Sequence, residues 1–380
     1  MNHLLIETQY SYENCIQPII IFKGQIKMSL IELGLSSIFT NDLKIDNDDF
    51  SIARVTSVNK ESYYINNGRQ DYFAKLTGNL LYSSDTPDDF PTVGDFVLYQ
   101  SFDDESLAIV HKVLKRKTLL KRKSAGKKIE YQLIAANIDF AIIIQALDND
   151  LNVNRLERYL SMTNEFGVEP IILFSKSDLI TKDEKSKIIE KISSRIAKEN
   201  IHSFSNYEPA NIVKIKQLLQ KGKTYCLIGS SGVGKTTLLN NLIGHEEFKT
   251  LEVREGDSKG KHSTTNRQLV VLENGAMIID TPGMRELGNF GISEGIDQTF
   301  DEISELTNNC KFTDCTHTIE KGCAVLAALE NGDLEKSRYD NYIKLKKESE
   351  YYERSYLERK RRDKEFGKMV KTIMKNIKKK

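Results

Sequence analysis

Apolar residues recur at every second position in short runs between residues 50 and 115: FSIARV, SYYIN, DYFAKL, GDFVLYQ and LAIVHKV. Turn-forming stretches separate them, Asn66-Asn67-Gly68, Thr86-Pro87-Asp88-Asp89 and Phe102-Asp103-Asp104-Glu105. A period of two with turns at this spacing predicts about five short strands and a small closed barrel, best fitted by an oligonucleotide-binding fold over residues 48–118. From residue 130 to 292 the period changes. Apolar strands at 138–146, 170–174 and 201–204 alternate with amphipathic or polar helices at 153–166, 182–199 and 211–221. Such alternation predicts parallel strands joined by crossover helices. Residues 293–345 read as a mainly helical region and 346–380 as a basic tail, helical or disordered. Residues 1–47 are the least readable stretch: an extension open to disorder, or an over-extended start before Met28.

Three junctions in the α/β region carry candidate chemistry. The apolar run Tyr225–Ile228 leads into Gly229-Ser230-Ser231-Gly232-Val233-Gly234-Lys235-Thr236 and then Thr237-Leu238-Leu239, so a glycine-rich loop joins a strand to a helix. In that setting consecutive N–H groups and a helix N-terminus face a phosphate chain. Lys235 would reach the β and γ phosphates, and the Thr236 hydroxyl would ligate Mg²⁺. Ser175-Lys176-Ser177-Asp178 closes the strand Pro170–Phe174. A carboxylate at Asp178 would accept two parallel hydrogen bonds from guanine N1–H and its exocyclic amine, a pair adenine lacks. Lys176 would lay its aliphatic stem along the base, and a backbone N–H at Ser205 would read guanine O6. Ser175 replaces the usual Asn of such a motif, which predicts loss of the contact that Asn makes and lower guanine affinity. Asp280-Thr281-Pro282-Gly283 follows the strand Met277–Ile279. Asp280 would hold Mg²⁺ through water, and the Gly283 N–H would sense the γ phosphate. Met284 cannot orient an attacking water as Gln does, so intrinsic turnover is expected to be slow. In Gly260–Thr265, Thr264 or Thr265 would complete the Mg²⁺ shell, while His262 is either a water-positioning group or a plain loop histidine.

Composition narrows the setting. Net charge is +1, and five cysteines without a secretory apolar segment point to a reducing, cytoplasmic compartment. The longest apolar run, Phe140–Leu147, is too short to span a bilayer. Cys310, Cys315, His317 and Cys323 supply three thiolates and one imidazole within a short span, a donor set that satisfies one structural Zn²⁺ with no open position. Cys226 belongs to an apolar strand and reads as packing. Lys112, Lys115, Arg116, Lys117, Lys121, Arg122, Lys123, Lys127 and Lys128 form a one-sided basic run, either solvated linker charge or a phosphate-contacting strip. Eleven basic residues from Arg359 to Lys380 stand against Asp363 and Glu365, an arm suited to RNA or a solubilising tail.

The order of these features is distinctive. The base-reading SKSD precedes GSSGVGKT, which precedes GKHSTT and DTPG, whereas an ordinary GTPase opens with the phosphate loop. With Cys-x4-Cys-x-His-x5-Cys following and a small barrel in front, residues 48–345 resemble the circularly permuted, small-ribosomal-subunit-dependent GTPase family. The resemblance implies a barrel, a permuted P-loop GTPase and a zinc-binding domain. It also implies GTP hydrolysis stimulated by the small ribosomal subunit, a role in its late maturation, rRNA contacts, a monomer, and water positioning by His262. A P-loop ATPase and a non-catalytic RNA-binding assembly factor remain as alternatives on the residues alone.

Overall fold

The computed structural model describes residues 28–36, 39, 49–59, 62–84, 86–102, 107–123, 131–148, 150–193, 200–245, 267–280 and 291–377. The alternating N-terminal runs become β1 (Ser51–Val58), β2 (Tyr63–Asn66), β3 (Asp71–Leu76), β4 (Phe96–Phe102) and β5 (Leu107–Val113). They close into a five-stranded barrel because β1 pairs with both β2 and β4, while β3 pairs with β2 and β5, and β5 with β4. One side chain in two turns inward. Ala53, Val55, Ile65, Tyr72, Ala74, Val97, Tyr99, Ala108 and Val110 fill the interior, as a small barrel requires. Helix α1 (Gly78–Ser83) follows β3, capped by Thr77, whose hydroxyl accepts the Leu80 N–H at 3.2 Å.

The α/β region runs β8 (Phe140–Ala146), α2 (Val153–Glu165), β9 (Glu169–Ser175), α3 (Lys182–Ser193), β10 (Ile201–Ser203), α4 (Pro209–Leu218), β11 (Thr224–Gly229), α5 (Lys235–Ile243), β12 (Arg267–Val271) and β13 (Met277–Asp280). Strand order is β10-β9-β8-β11-β13-β12, parallel except for β12. These strands are nearly continuous in apolar residues because both faces are covered. Ala141, Ile143, Phe174, Cys226 and Ile279 pack with Leu156, Tyr159 and Leu160 of α2 on one face. Ile142, Ile144, Leu173, Leu227 and Ile278 pack with α4 and α5 residues such as Ile215 and Leu239 on the other. Cys226 is fully buried, in keeping with a packing role.

Strand β12 also pairs with β1, Ser57 opposite Gln268 and Val58 opposite Arg267, so barrel and α/β sheet form one eleven-stranded sheet. Arg54 lies buried at this seam. It donates to the carbonyls of Leu33 (2.5 Å), Gly94 (3.2 Å) and Asn137 (3.3 Å) and to the Thr224 hydroxyl (2.9 Å). Burial lowers its pKa to about 10, but these four oxygen acceptors, with the Met277 sulfur 3.1 Å away, keep the charge tolerable.

Two expectations change. Part of the N-terminal extension is packed rather than disordered: Met28, Leu33 and Phe39 are buried, and Glu32 pairs with Lys221 at 2.7 Å; residues 1–27 lie outside the described residues. The basic run is not a linker. Leu119–Lys123 is strand β6, antiparallel to β7 (Tyr131–Ala136), and three of its cations are engaged internally. Arg116 pairs with buried Asp95 (2.7 Å), Lys117 with Asp139 (2.8 Å) and Lys121 with Asp88 (2.6 Å). Lys127 and Lys128 lie outside the described residues.

The C-terminal region comprises α6 (Ser293–Thr299), α7 (Asp301–Thr307), α8 (Ala324–Asn331) and the long α9 (Lys336–Ile377) around Ile296, Phe300, Ile303, Val325, Tyr342 and Leu345. It packs on α2. At Gly295 an added Cβ would lie 1.9 Å from the Ser161 carbonyl, so α6 and α2 meet backbone to backbone. Arg338 of α9 sits over the Phe300 ring at 4.5 Å and pairs with Glu157 of α2 (2.9 Å) and with Glu302. The basic tail is helical through residue 377, and Tyr356 packs on Tyr131 of β7 with ring centroids 5.5 Å apart. Among the described residues no helix is long and apolar enough to cross a membrane.

Candidate nucleotide site and cysteine–histidine cluster

Strands β8, β9, β11 and β13 end side by side at the carboxyl edge of the sheet, where open α/β folds bind ligands. Gly229 ends β11 opposite Ile144, so close that a Cβ would lie 2.4 Å from the Ile144 carbonyl. Gly232 and Gly234 take left-handed φ of 75° and 92°, which a side chain would strain. Gly234 also precedes the first turn of α5, leaving the helix N-terminus facing the loop. Lys235 folds back over the loop and donates to the carbonyls of Gly229 (2.8 Å) and Ser230 (2.6 Å). Thr236 and Thr237 follow it in the same turn, partly exposed, and Ser231 lies exposed at the loop tip.

The 175–178 turn packs against this loop. Ser175 is buried, and its hydroxyl donates to the Val233 carbonyl of the phosphate loop at 2.7 Å. The Ser175 side chain reaches this loop because β9 ends against it. Lys176 has φ 57°, with its ammonium on Asp148 at 2.7 Å. Ser177 and Asp178 lie in a 3₁₀ turn, Asp178 exposed, and the Ser177 N–H donates to the Phe204 carbonyl at 3.1 Å. That bond brings in Ser205, which is buried and accepts the Tyr207 N–H at 3.2 Å. Asn206 closes the circle by donating to the Gly234 carbonyl at 3.2 Å. Asp280 ends β13, partly exposed. His262, Thr264, Thr265 and Gly283 lie outside the described residues.

Two side chains at this edge escaped the motif reading. Asp148 accepts from Lys176, and Asp150 accepts from the Ser230 hydroxyl at 2.7 Å. The available signal was positional: both follow an apolar strand, as the other motifs do. Burial works against the Asp148 carboxylate, but Lys176 and the Asp150 N–H hold its pKa below the ordinary value.

Cys310, Cys315, His317 and Cys323 converge, their ligand atoms all within 4.8 Å of one another. His317 Nδ1 is 3.5 Å from both the Cys310 and Cys323 sulfurs, which are 3.9 Å apart. These are separations that four donors about 2.0–2.3 Å from one tetrahedral centre would have. Local structure explains the convergence. Cys323 caps α8, accepting the Leu326 N–H at 3.5 Å. Glu320 gathers the N–H groups of Thr316, Thr318 and Ile319 onto one carboxylate, and Tyr339 donates to the His317 carbonyl at 2.7 Å. Burial raises the Cys310 thiol, but N–H groups of Ala324 and Val325 and the neighbouring sulfurs outweigh it and lower its pKa. Partial desolvation and the neighbouring sulfurs push Cys315 up to about 11.

Comparison with known proteins agrees with this architecture. The RsgA GTPase family profile matches residues 113–290. Small ribosomal subunit biogenesis GTPase RsgA 2 of Vibrio vulnificus is 37% identical over 347 residues, 91% of this chain and 95% of the relative. Its namesake from Listeria monocytogenes serotype 4b is 39% identical over 328 residues, 86% and 91% of the two chains. Among solved structures, YjeQ from Thermotoga maritima superposes with a TM-score of 0.57 at 26% identity, covering 78% of this chain and 97% of that one. YloQ, described as a circularly permuted GTPase, shares the fold with a TM-score of 0.56 at 22% identity, covering 80% and 96%. With matches this extensive and the permuted motif order intact, the chain belongs to the RsgA GTPase family.

Proposed function

We propose that this GTPase acts in biogenesis of the small ribosomal subunit, the process for which its relatives are named, and that the subunit stimulates its GTP turnover. The observation that carries this reading is the meeting of the 175–178 turn, the 229–236 loop and Asp280 at one sheet edge, with the barrel joined through β12 and the cysteine-bearing region packed on α2. In this reading the N–H groups of Gly229–Thr237 cradle the phosphates, including those of Ser230, Ser231 and Val233. Lys235 exchanges two loop carbonyls for β and γ phosphate oxygens. Asp178 reads guanine, Lys176 covers one face of the base, and Ser177 and Ser205 close the base side. Ser175 acts indirectly, holding the phosphate loop through Val233.

Thr236, Asp280 and Thr264 or Thr265 would hold Mg²⁺, which when bound neutralises charge on the β and γ oxygens. His262 orients a water whose oxygen bonds to the γ phosphorus as the bond to the β–γ bridging oxygen breaks, giving GDP and phosphate. Gly283 senses the γ phosphate through its N–H. The Cys310, Cys315, His317 and Cys323 donors would hold one Zn²⁺ in a closed, structural site. The barrel (48–118), the zinc-binding unit (293–345) and the basic tail (346–380) contact rRNA, with residues 130–292 as the GTPase unit. The protein works as a cytoplasmic monomer.

Multiple-turnover GTP hydrolysis with and without purified small subunits tests this reading. Stimulation by subunits, loss of turnover in Lys235→Ala, and a reduced stimulated rate with retained GTP binding in His262→Ala are expected. No stimulation together with no effect of Lys235→Ala, or equal ATP and GTP affinity untouched by Asp178→Asn, overturns it.

A further inference from the structure

The turn between β8 and α2 is built as a fixed bracket. Gln145, fully buried at the end of β8, donates to the Asn152 carbonyl and accepts its N–H, both at 3.1 Å. Asn152 caps α2 by accepting the Arg155 N–H at 3.0 Å. Leu147 donates to the Ser175 carbonyl at 2.9 Å, tying the bracket to the end of β9. The Asp150 N–H donates to Asp148 at 2.9 Å, and Arg155 grips the Asp150 carboxylate with both terminal nitrogens at 2.8 and 3.1 Å. Two carboxylates are thereby aimed in set directions. Asp148 meets the Lys176 ammonium at 2.7 Å, and Asp150 meets the Ser230 hydroxyl at 2.7 Å.

Both recipients sit on backbone that needs support. Lys176 has a left-handed φ of 57°, uncommon for a residue with a side chain. Ser230 lies in a glycine-rich loop in which Val233 is the side chain buried in the core, and Ser230 itself is only partly buried. We propose that Asp148 and Asp150 are positioning residues for the nucleotide: Asp148 aims Lys176 along the base, and Asp150 sets the phosphate loop through Ser230. This rests on the reading of residues 175–178 and 229–237 as the nucleotide site.

The sign of the effect separates positioning from plain charge. A carboxylate near a phosphate site repels the anion, so by charge alone its removal tightens binding. Positioning predicts weaker binding. The full chain with Asp148→Ala, Asp150→Ala or Asp150→Asn is titrated with GTP, GDP and tripolyphosphate, the last by competition against a fluorescent GDP. Asp148→Ala is expected to weaken GTP and GDP alike, by about tenfold, equivalent to about 1.4 kcal/mol, and to leave tripolyphosphate unchanged, because that probe has no base. Asp150→Ala is expected to weaken all three, with Asp150→Asn restoring most of the affinity because its amide oxygen still accepts from Ser230. Adding Ser230→Ala to Asp150→Ala is expected to cost nothing further. Unchanged or tighter binding in Asp150→Ala, or unchanged GTP and GDP binding in Asp148→Ala, overturns the proposal. If Lys235→Ala leaves wild-type binding intact, the failure lies instead with the nucleotide-site reading.

Discussion

Ser175 shows how a residue's role depends on what its strand end abuts. Its hydroxyl spans from β9 to the Val233 carbonyl, a contact between residues far apart in sequence that no local pattern announces. Asp139 is a second such residue. It accepts from Lys117 at 2.8 Å and from the Thr224 N–H at 2.9 Å, joining the start of β8 to β11 and to the segment before β6. Burial raises its pKa, but Lys117 and the Thr224 N–H outweigh that and hold it below the ordinary carboxylate value of about 3.9. Because the folded-state value is the lower one, the stabilisation is fully present above the unfolded value and is lost as pH falls through the folded value. Urea unfolding should therefore show wild type more stable than Asp139→Asn by a constant margin from neutral pH down to about 5, narrowing below about 4. A margin that persists unchanged into acid would sink this account.

At the scale of elements, α2 is the rod on which both halves of the molecule are mounted. Its N-terminal bracket meets the nucleotide loops, while Glu157 and Asn164 meet Arg338 of α9 and Thr299 of α6. Arg338→Ala would strand Glu157, which is 1% exposed, without its cation. Removing one partner of a buried pair costs about 3–5 kcal/mol. Chemical denaturation should show a loss of that order for Arg338→Ala, with most of it recovered in the Glu157→Met/Arg338→Met double variant. The strands and helices themselves were legible because hydrophobic period is a local property: helix 153–166 and strands 138–146 and 170–174 were each expected to within two residues. The β6–β7 hairpin was not. Lys121, Arg122 and Lys123 hide its alternation, and the acids that neutralise Arg116, Lys117 and Lys121 come from residues 88, 95 and 139.

Across the whole molecule, the nucleotide edge is joined to its surroundings on two sides. The chain leaves β13 at Asp280 and reaches α6 at Ser293, so the segment proposed to sense the γ phosphate leads straight into the cysteine-bearing region. On the other side, β12 follows the GKHSTT segment and pairs with β1 of the barrel. Hydrogen exchange of residues 295–330 should differ between the GTP-analogue and GDP states, with the change extending into the α2 contacts at Ser161–Glu165. Identical protection in the two states would show that the covalent link carries no motion.

What the sequence determined by itself was local chemistry and its order along the chain. Glycine spacing, strand and helix period, the Asp178 carboxylate after a strand end, and three thiols with one imidazole in a short span each depend on neighbours within a few positions, and the permuted order needs only reading. The tertiary structure decided which of those groups touch. That Ser175 holds the phosphate loop, that most of the basic run's paired cations answer acids inside the protein, and that barrel and α/β sheet join at β1 and β12 all follow from burying two sheet faces at once. Burial sets which strand ends lie side by side, and partners brought together that way lie tens to more than a hundred residues apart, where no periodicity reaches.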